Sequence, residues 1–469
     1  MLASNLRICG LGILVVIAGA SAPSSQTRSA TSGAVLFEGA RLIIGDERPA
    51  IESGAFVVAD GRIAAIGPQG EVTPPAGATR LDLTGKTVMP ALVNIHAHVG
   101  YEKFLKAAGE SRAESFTDEN VLDHLEREAY YGVGSVLDAG SGAWPITERY
   151  LADQAAGRFP SAAHLTPMGG IVPVNGGPDH ILIQGTRPLK ANYEVTLSPD
   201  ARAAIRDLTS KNVKHVKIWL GDRNGTYPAM PHEVYDAVID EAHRAGVMVH
   251  AHATNVRDQK DAIRAGTDVL VHTVQNALID DELAALLNER RPYWTTVLGL
   301  VDRGEVCDRE PFALQVLSPA IVSDILATDC KPNPNAAVRE ERLKRNFMRM
   351  IASGARLVLG TDAGVWPRYS FGSADHHELQ RYVELGLTAA QAIVAATSRP
   401  AEAMGLSDVG VLASGKRADF LVLIGNPLVD ITSTRQIADV YLRGRRLNRD
   451  AMLTKWKPAA SQPATPSKP

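Results

Sequence analysis

Residues 93–100 read "VNIHAHVG", two histidines one residue apart at the end of a short apolar run that follows Met89-Pro90. Alternate side chains of a β-strand share a face, so His96 and His98 point the same way, as two ligands gripping one metal ion would. A solvated strand can carry the same spacing. The pair acquires meaning only where the rest of the chain supplies further ligands at corresponding places.

On the N-terminal side, from Ala34 to about Met89, "AVLFEGARLII", "GAFVVADGRIAAIG" and "TRLDLTGKTV" are short β-rich runs broken by Gly, Asp and Pro, with "ADG" as a hairpin turn. The same texture returns after Val409 in "GKRADFLVLIGN" and "IADVYLRGRRL". These two ends predict one small β-sandwich domain, residues 34–90 plus 407–450, closing over a central domain of residues 91–406. Within that centre, strand-like runs start at 93 ("VNIHAH"), 133 ("VGSVLDAG"), 161 ("SAAHLTPM"), 215 ("HVKIWLG"), 247 ("VMVHAHA"), 269 ("VLVHTV"), 292 ("PYWTTVL") and 355 ("ARLVLGTDAG"). Between several of them lie amphipathic stretches closed by glycine, such as "PHEVYDAVIDEAHRAG" and "RDQKDAIRAG". Eight parallel strands, each followed by a helix, define an α/β (β/α)8 TIM barrel with its active site at the C-terminal ends of the strands. Two long connections, 169–214 and 299–354, are placed to cover that mouth.

The chain has 469 residues and a formal net charge of -3, so no electrostatic footprint points to nucleic acid or an anionic membrane, and a small-molecule partner is expected. Its start, "MLASNLRICGLGILVVIAGASA", has one early positive charge, an apolar run from Ile8 to Ala18 and small residues at Ala18, Ala20 and Ala22. That is the pattern of a cleaved secretory signal, residues 1–22, because the run is short for a membrane span. The mature chain is then expected to be periplasmic or secreted, without a stable membrane anchor. Residues 23–33 read as a polar leader, and 451–469 as a disordered tail rich in Pro, Ala and Ser. After signal removal two cysteines are left, Cys307 and Cys330, which are candidates for a disulfide in an oxidising compartment.

On this map the metal-capable residues fall at strand ends. His96 and His98 close the first run, Lys217 lies in the fourth, His252 ends the fifth, His272 the sixth and Asp362 the eighth. Four imidazoles and a carboxylate converging on one mouth suit two divalent ions, with donors appropriate to zinc and its neighbours.

Taken together, "MPALVNIHAH", "HVKIWLG", "EAHRAGVMVHAHA", "VLVHTV", "LVLGTDAG" and "ELGLTAAQAIVAATSRPAEAMGLSDVGVLASGKRADFLVL" resemble the amidohydrolase superfamily, in particular metal-dependent hydrolases similar to imidazolonepropionase and the prolidase-like dipeptidases. The resemblance runs from about Ala34 to Arg446. It implies metal roles for His96, His98, His252, His272 and Asp362, with Lys217 as the bridging ligand. An ammonium cannot bind a cation, but burial favours neutral lysine, whose amine can combine with carbon dioxide to give a bridging carbamate. The alternative is a surface lysine beside Lys214 and His215. Alternation cannot choose between His250 and His252, which share a face; counting from Gly246 to the next "AG" at Ala265 matches the family's usual ligand to His252. His250 is then a pocket or core histidine. The family often has Gly and Asp where this chain has Ala91 and Asn94. Asp138 and His180 also resemble recurrent pocket positions, with a turn Asp and a loop His as the plainer readings.

The chemistry implied is attack by a metal-bridging hydroxide on an amide-like C–N bond, as in an N-acyl amino acid, dipeptide or carbamate, with Asp362 moving the proton to the departing nitrogen. A heterocycle deaminase is the runner-up, yet such enzymes tend to carry Glu shortly after the fifth-strand histidine, where this chain reads His252-Ala253-Thr254-Asn255. Lactone or organophosphate hydrolysis would use the same hydroxide. An inactive, metal-stabilised binding protein would be expected to have lost a ligand, and none is missing. After Asp362, "VWPRYSFGSADHH" offers Trp366, Arg368, Tyr369 and His377 as an apolar wall with a cationic end, suited to a carboxylated substrate with a hydrophobic part. Family members are often oligomeric, so a homo-oligomer is among the expected partners.

Overall fold

The computed structural model describes residues 33–101, 115–177, 189–222, 225–301, 309–317, 319–327, 335–364 and 371–457. Residues 1–32, which hold the signal and all but the last leader position, and His180, Cys307, Cys330, Trp366, Arg368 and Tyr369 lie outside the described residues.

Strands from both ends of the chain share one eight-stranded sheet, in the order Arg445–Arg446, Ile437–Leu442, Phe420–Leu423, Thr87–Pro90, Val35–Leu42, Ile51–Ala59 and Arg62–Pro68, with Thr79–Asp82 paired on Val35–Leu42. Asp60 and Gly61, both at positive φ, form the two-residue turn between Ile51–Ala59 and Arg62–Pro68, as "ADG" predicts. The sheet is cemented by aromatics contributed by both ends: Phe37 stacks on Phe56 at 4.8 Å, and Phe420, from the C-terminal end, meets Phe56 edge-on at 5.1 Å and stacks on Tyr441.

The middle of the chain is an α/β fold of parallel strands. One sheet holds Leu92–Ala97, Val133–Asp138 and His164–Thr166. Another runs Asn192–Val195, Gly169–Pro173, His215–Trp219, Met248–His252, Val269–Val271, Tyr293–Thr295 and Arg356–Leu357, parallel throughout. Each of the eight strand-like runs contains one of these strands. First and last meet: Ile95 N donates to Leu359 O, the amides of Thr361 and Asp362 both donate to His96 O, and His98 N donates to Ala363 O. Glycine makes that approach feasible, since a Cβ on Gly360 would lie 2.6 Å from His96 Cβ.

Helices form where the sequence supplies a cap and an apolar stripe. Thr117, Asn255 and Asp280 accept the third amide of Asp118–Tyr130, Val256–Ala265 and Asp281–Arg290, and Gly266 at φ 97° ends the second of these. In His232–Arg244 the buried face is Val234, Tyr235, Val238 and Ala242, while Asp240 and Glu241 turn outward to Arg202.

Two expectations need correction. The stretch 169–214, expected as a long connection, contains the strands Gly169–Pro173 and Asn192–Val195 and the helix Ser198–Ser210. The tail expected to be disordered from 451 begins with a helix, Arg449–Trp456: Trp456 is buried against Tyr130 and its indole N–H donates to Asp123 at 2.7 Å, so one aromatic anchor gives the end a place to pack.

Candidate metal centre

His96 and His98 leave the end of Leu92–Ala97 on the same side, as their spacing demands. Nε2 of His96 lies 3.0 Å from Asp362 Oδ1 and Nε2 of His98 lies 3.1 Å from the same oxygen. Asp362 is carried there by the "LGTDAG" turn, in a left-handed backbone conformation (φ 60°). His272, one residue past Val269–Val271, is also left-handed (φ 80°). Such conformations are uncommon for residues other than glycine and concentrate where function requires them.

Lys217 is 1% exposed and its Nζ lies 3.4 Å from His96 Nε2, whereas Lys214 is exposed. The surface reading of Lys217 therefore fails. His252 Nδ1 lies 2.8 Å from His272 Nε2. His96, His272 and Asp362 bring one donor atom each within 4.8 Å of one another, so the tertiary fold unites residues spread over 266 positions of sequence.

Electrostatics agree with a cation site. Burial pushes the Asp362 carboxyl up, but hydrogen bonds to His96 and His98 outweigh it and hold it well below the ordinary carboxylate value. Burial, then Lys217, pushes His96 down to about 3, against the pull of Asp362. The centre thus pairs an ionised carboxylate with a neutral imidazole, the protonation states that metal ligands adopt. Among the described residues, His96 Nδ1 is buried without a hydrogen-bond partner. The donor set and its protonation fit divalent ions of the zinc type.

His250 does not join the cluster of ligand atoms. It is fully buried, and its Nε2 lies 3.2 Å from Nδ1 of His215, whose Nε2 is 3.4 Å from Met404 O. His377 is half-buried on the helix Ser373–Glu384. Asp138 is buried at the end of the second strand, where burial pushes its carboxyl up to about 7 against the lowering effect of the Val99, Ala139 and Gly142 amides and the Ser141 hydroxyl.

Two further groups contact the ligands: Ser141, which sequence reasoning missed, and Asn94, which it noted only as a departure from the family. Ser141 Oγ lies 2.8 Å from His98 Nδ1, and Asn94, which stands where the family often has Asp, accepts the His96 amide and donates to Thr361. The available signal for Ser141 was its place between two glycines just past a strand end, in "DAGSGAW".

The model of the amidohydrolase family matches residues 87–447. Among curated proteins, an imidazolonepropionase of Symbiobacterium thermophilum is 26% identical, covering 89% of this chain and 91% of the relative. A 5-methylthioadenosine/S-adenosylhomocysteine deaminase of Halalkalibacterium halodurans is 24% identical over 80% of this chain and 82% of the relative. Among solved structures, a Xaa-Pro dipeptidase with methionine bound in its active site aligns with a TM-score of 0.67 at 22% identity, covering 88% of this chain and 99% of that one.

Proposed function

Because the chain belongs to the amidohydrolase family, we propose that it is a two-metal hydrolase of an amide-like C–N bond, as in an N-acyl amino acid, a dipeptide or a carbamate. The family is one of enzymes acting on carbon–nitrogen bonds, and its named relatives include both a hydrolase-type imidazolonepropionase and a deaminase. The observation that carries the hydrolase reading is Lys217, buried and facing His96 inside the ligand cluster.

In this reading His96, His98, His252, His272 and Asp362 would hold the ions, with Lys217 joining them as its carbamate. The carbamate forms when the neutral amine adds to carbon dioxide, making an N–C bond and releasing one proton. Bound divalent ions would supply Lewis acidity, lowering the pKa of a water and polarising a carbonyl. Asp362, ionised at neutral pH, accepts the proton of the attacking water and returns it to the departing nitrogen. Nε2 of His96 and Nε2 of His98 lie 3.0 and 3.1 Å from the same Asp362 oxygen, which brings these three donors together.

Deamination is the second reading, since the deaminase relatives span most of the chain. It is disfavoured by the residue three beyond His252. Asn255 caps Val256–Ala265, accepting the Asp258 amide and donating to the Asp258 carboxylate, so no acid stands there to shuttle protons to a ring nitrogen.

The parallel strands are best read as one closed (β/α)8 barrel of residues 91–406; support comes from the hydrogen bonds joining Ile95 to Leu359 and His98 to Ala363. The remaining strands are read as a β-sandwich domain of 34–90 plus 407–450, supported by the split pairing of Val35–Leu42 with both Thr79–Asp82 and Thr87–Pro90. Export by a signal over residues 1–22 rests on the apolar run Ile8 to Ala18.

The test is to purify the chain lacking residues 1–22 with bicarbonate and zinc, count metal per chain, and assay N-acyl amino acids, dipeptides, carbamates, lactones and heterocyclic amines. Near two ions with amide or carbamate cleavage is the expected result. One ion with ammonia released from a heterocycle would overturn it in favour of deamination.

A further inference from the structure

We propose that Ser141, backed by Asp138, is a positioning residue that holds His98 in the tautomer needed for metal binding. The inference rests on the metal-centre reading above and adds to it a specific hydrogen-bond relay.

His98 has two ring nitrogens with different neighbours. Nε2 faces Asp362 at 3.1 Å, and Nδ1 faces Ser141 Oγ at 2.8 Å. For Nε2 to offer a lone pair to a cation, the ring proton must sit on Nδ1 and be donated to an acceptor. Ser141 Oγ is the acceptor at hydrogen-bonding distance. A hydroxyl that accepts from an imidazole must place its own proton elsewhere, and the buried Asp138 carboxylate beside it is the group able to take it. The hydroxyl of Ser141 is already among the hydrogen-bonding neighbours of this buried carboxyl group. The relay therefore runs from His98 N–H to Ser141 O–H to Asp138 carboxylate.

The turn bearing Ser141 is held from three sides. Tyr101 donates its hydroxyl proton to Ser141 O at 2.5 Å, and Asn192 Nδ2 donates to Gly140 O at 2.6 Å. Gly140, at φ +83°, presses so closely on the strand His215–Trp219 that a Cβ there would lie 2.8 Å from Lys217 Cβ. Tyr101 and Ser141 are fully buried, so water does not compete for the relay. One turn thus abuts two proposed ligands, touching His98 through a hydroxyl and Lys217 through the bare backbone of a glycine.

The test uses the whole signal-free chain and zinc as the probe. Ser141→Ala and Asp138→Asn are compared with the unaltered protein by zinc titration against a competing chelator, by thermal melting without metal, and by nitrogen NMR of the histidine rings. The expected result is a loss of zinc affinity of about 10- to 100-fold in Ser141→Ala, with the metal-free melting temperature little changed and the His98 Nδ1–H signal lost. Asp138→Asn should weaken zinc in the same direction and by less, since its amide oxygen still accepts the Ser141 proton. Unchanged zinc affinity in Ser141→Ala overturns the inference. An equal fall in metal-free melting temperature with no specific loss of affinity overturns it too, by making Ser141 merely structural. If the unaltered protein takes up no zinc, it is the metal-centre reading that fails.

Discussion

Nδ1 of His252 lies 2.8 Å from Nε2 of His272, joining the ends of two neighbouring parallel strands. His250, two residues earlier on the same face, faces His215 instead. The two histidines of "VHAHA" therefore have separable jobs. His252→Asn should lower bound zinc from about two ions per chain to about one. His250→Asn should leave the count unchanged but destabilise the fold by about 1–3 kcal/mol, because His215 loses a buried partner. Metal analysis and urea unfolding of both variants decide the assignment; metal loss in His250→Asn alone would reverse it.

Lys217→Ala should lose the bridging group. Zinc per chain should fall below that of the unaltered protein and no longer depend on added bicarbonate, and turnover should drop by at least about 100-fold, in the range of losing a catalytic electrostatic contact. Carbon NMR with labelled bicarbonate should show a carbamate signal in the unaltered chain and none in the variant.

Asp362→Asn keeps the shape of the side chain and removes its basicity. Turnover should fall by about 100- to 10,000-fold, the range of general acid–base catalysis, while most of the metal is retained. Near-normal turnover would remove Asp362 from proton transfer.

Glu128 and Asp375 are fully buried together between the helices Asp118–Tyr130 and Ser373–Glu384. Burial, with the neighbouring carboxylates, pushes Glu128 well above the ordinary value and Asp375 up to about 8. A carboxyl whose folded value is raised binds more protons folded than unfolded. Its stabilising contribution is full below the ordinary value of 3.8 and is lost as pH rises toward 8, at up to about 1.4 kcal/mol per pH unit. Urea midpoints should thus decline from pH 5 to pH 8, and Asp375→Asn, which mimics the protonated acid, should flatten the decline. An identical slope in the variant would mean that other groups set it.

Gly364 sits at φ +92°, and a Cβ there would come 2.0 Å from the His98 carbonyl oxygen. Gly364→Ala should cost more than about 2 kcal/mol, by forcing strained backbone and separating the first and last strands. Unfolding in urea measures this directly; a change within 0.5 kcal/mol, about the range of a neutral surface substitution, would contradict the packing described.

Local chemistry was enough to read much of this protein from its sequence. Apolar runs bounded by turns located eight of the ten parallel strands described, the "ADG" turn located a hairpin, and the HxH spacing placed His96 and His98 on one face, because each of these depends only on near neighbours along the chain. The sequence also set which residue types were available as ligands. What it could not set was contact at a distance. Strand parity tells which face a side chain takes and not how far along the strand it meets a partner, so His250 and His252 were equivalent until packing set one against His215 and the other against His272. The strand Gly169–Pro173 has no alternation to reveal it, and the helix Arg449–Trp456 exists because Trp456 finds a buried seat beside Tyr130, 326 positions away. The burial of Lys217 and the contact of Ser141 with His98 likewise arise only when distant strands close on one another, since desolvation and hydrogen bonding depend on position in space.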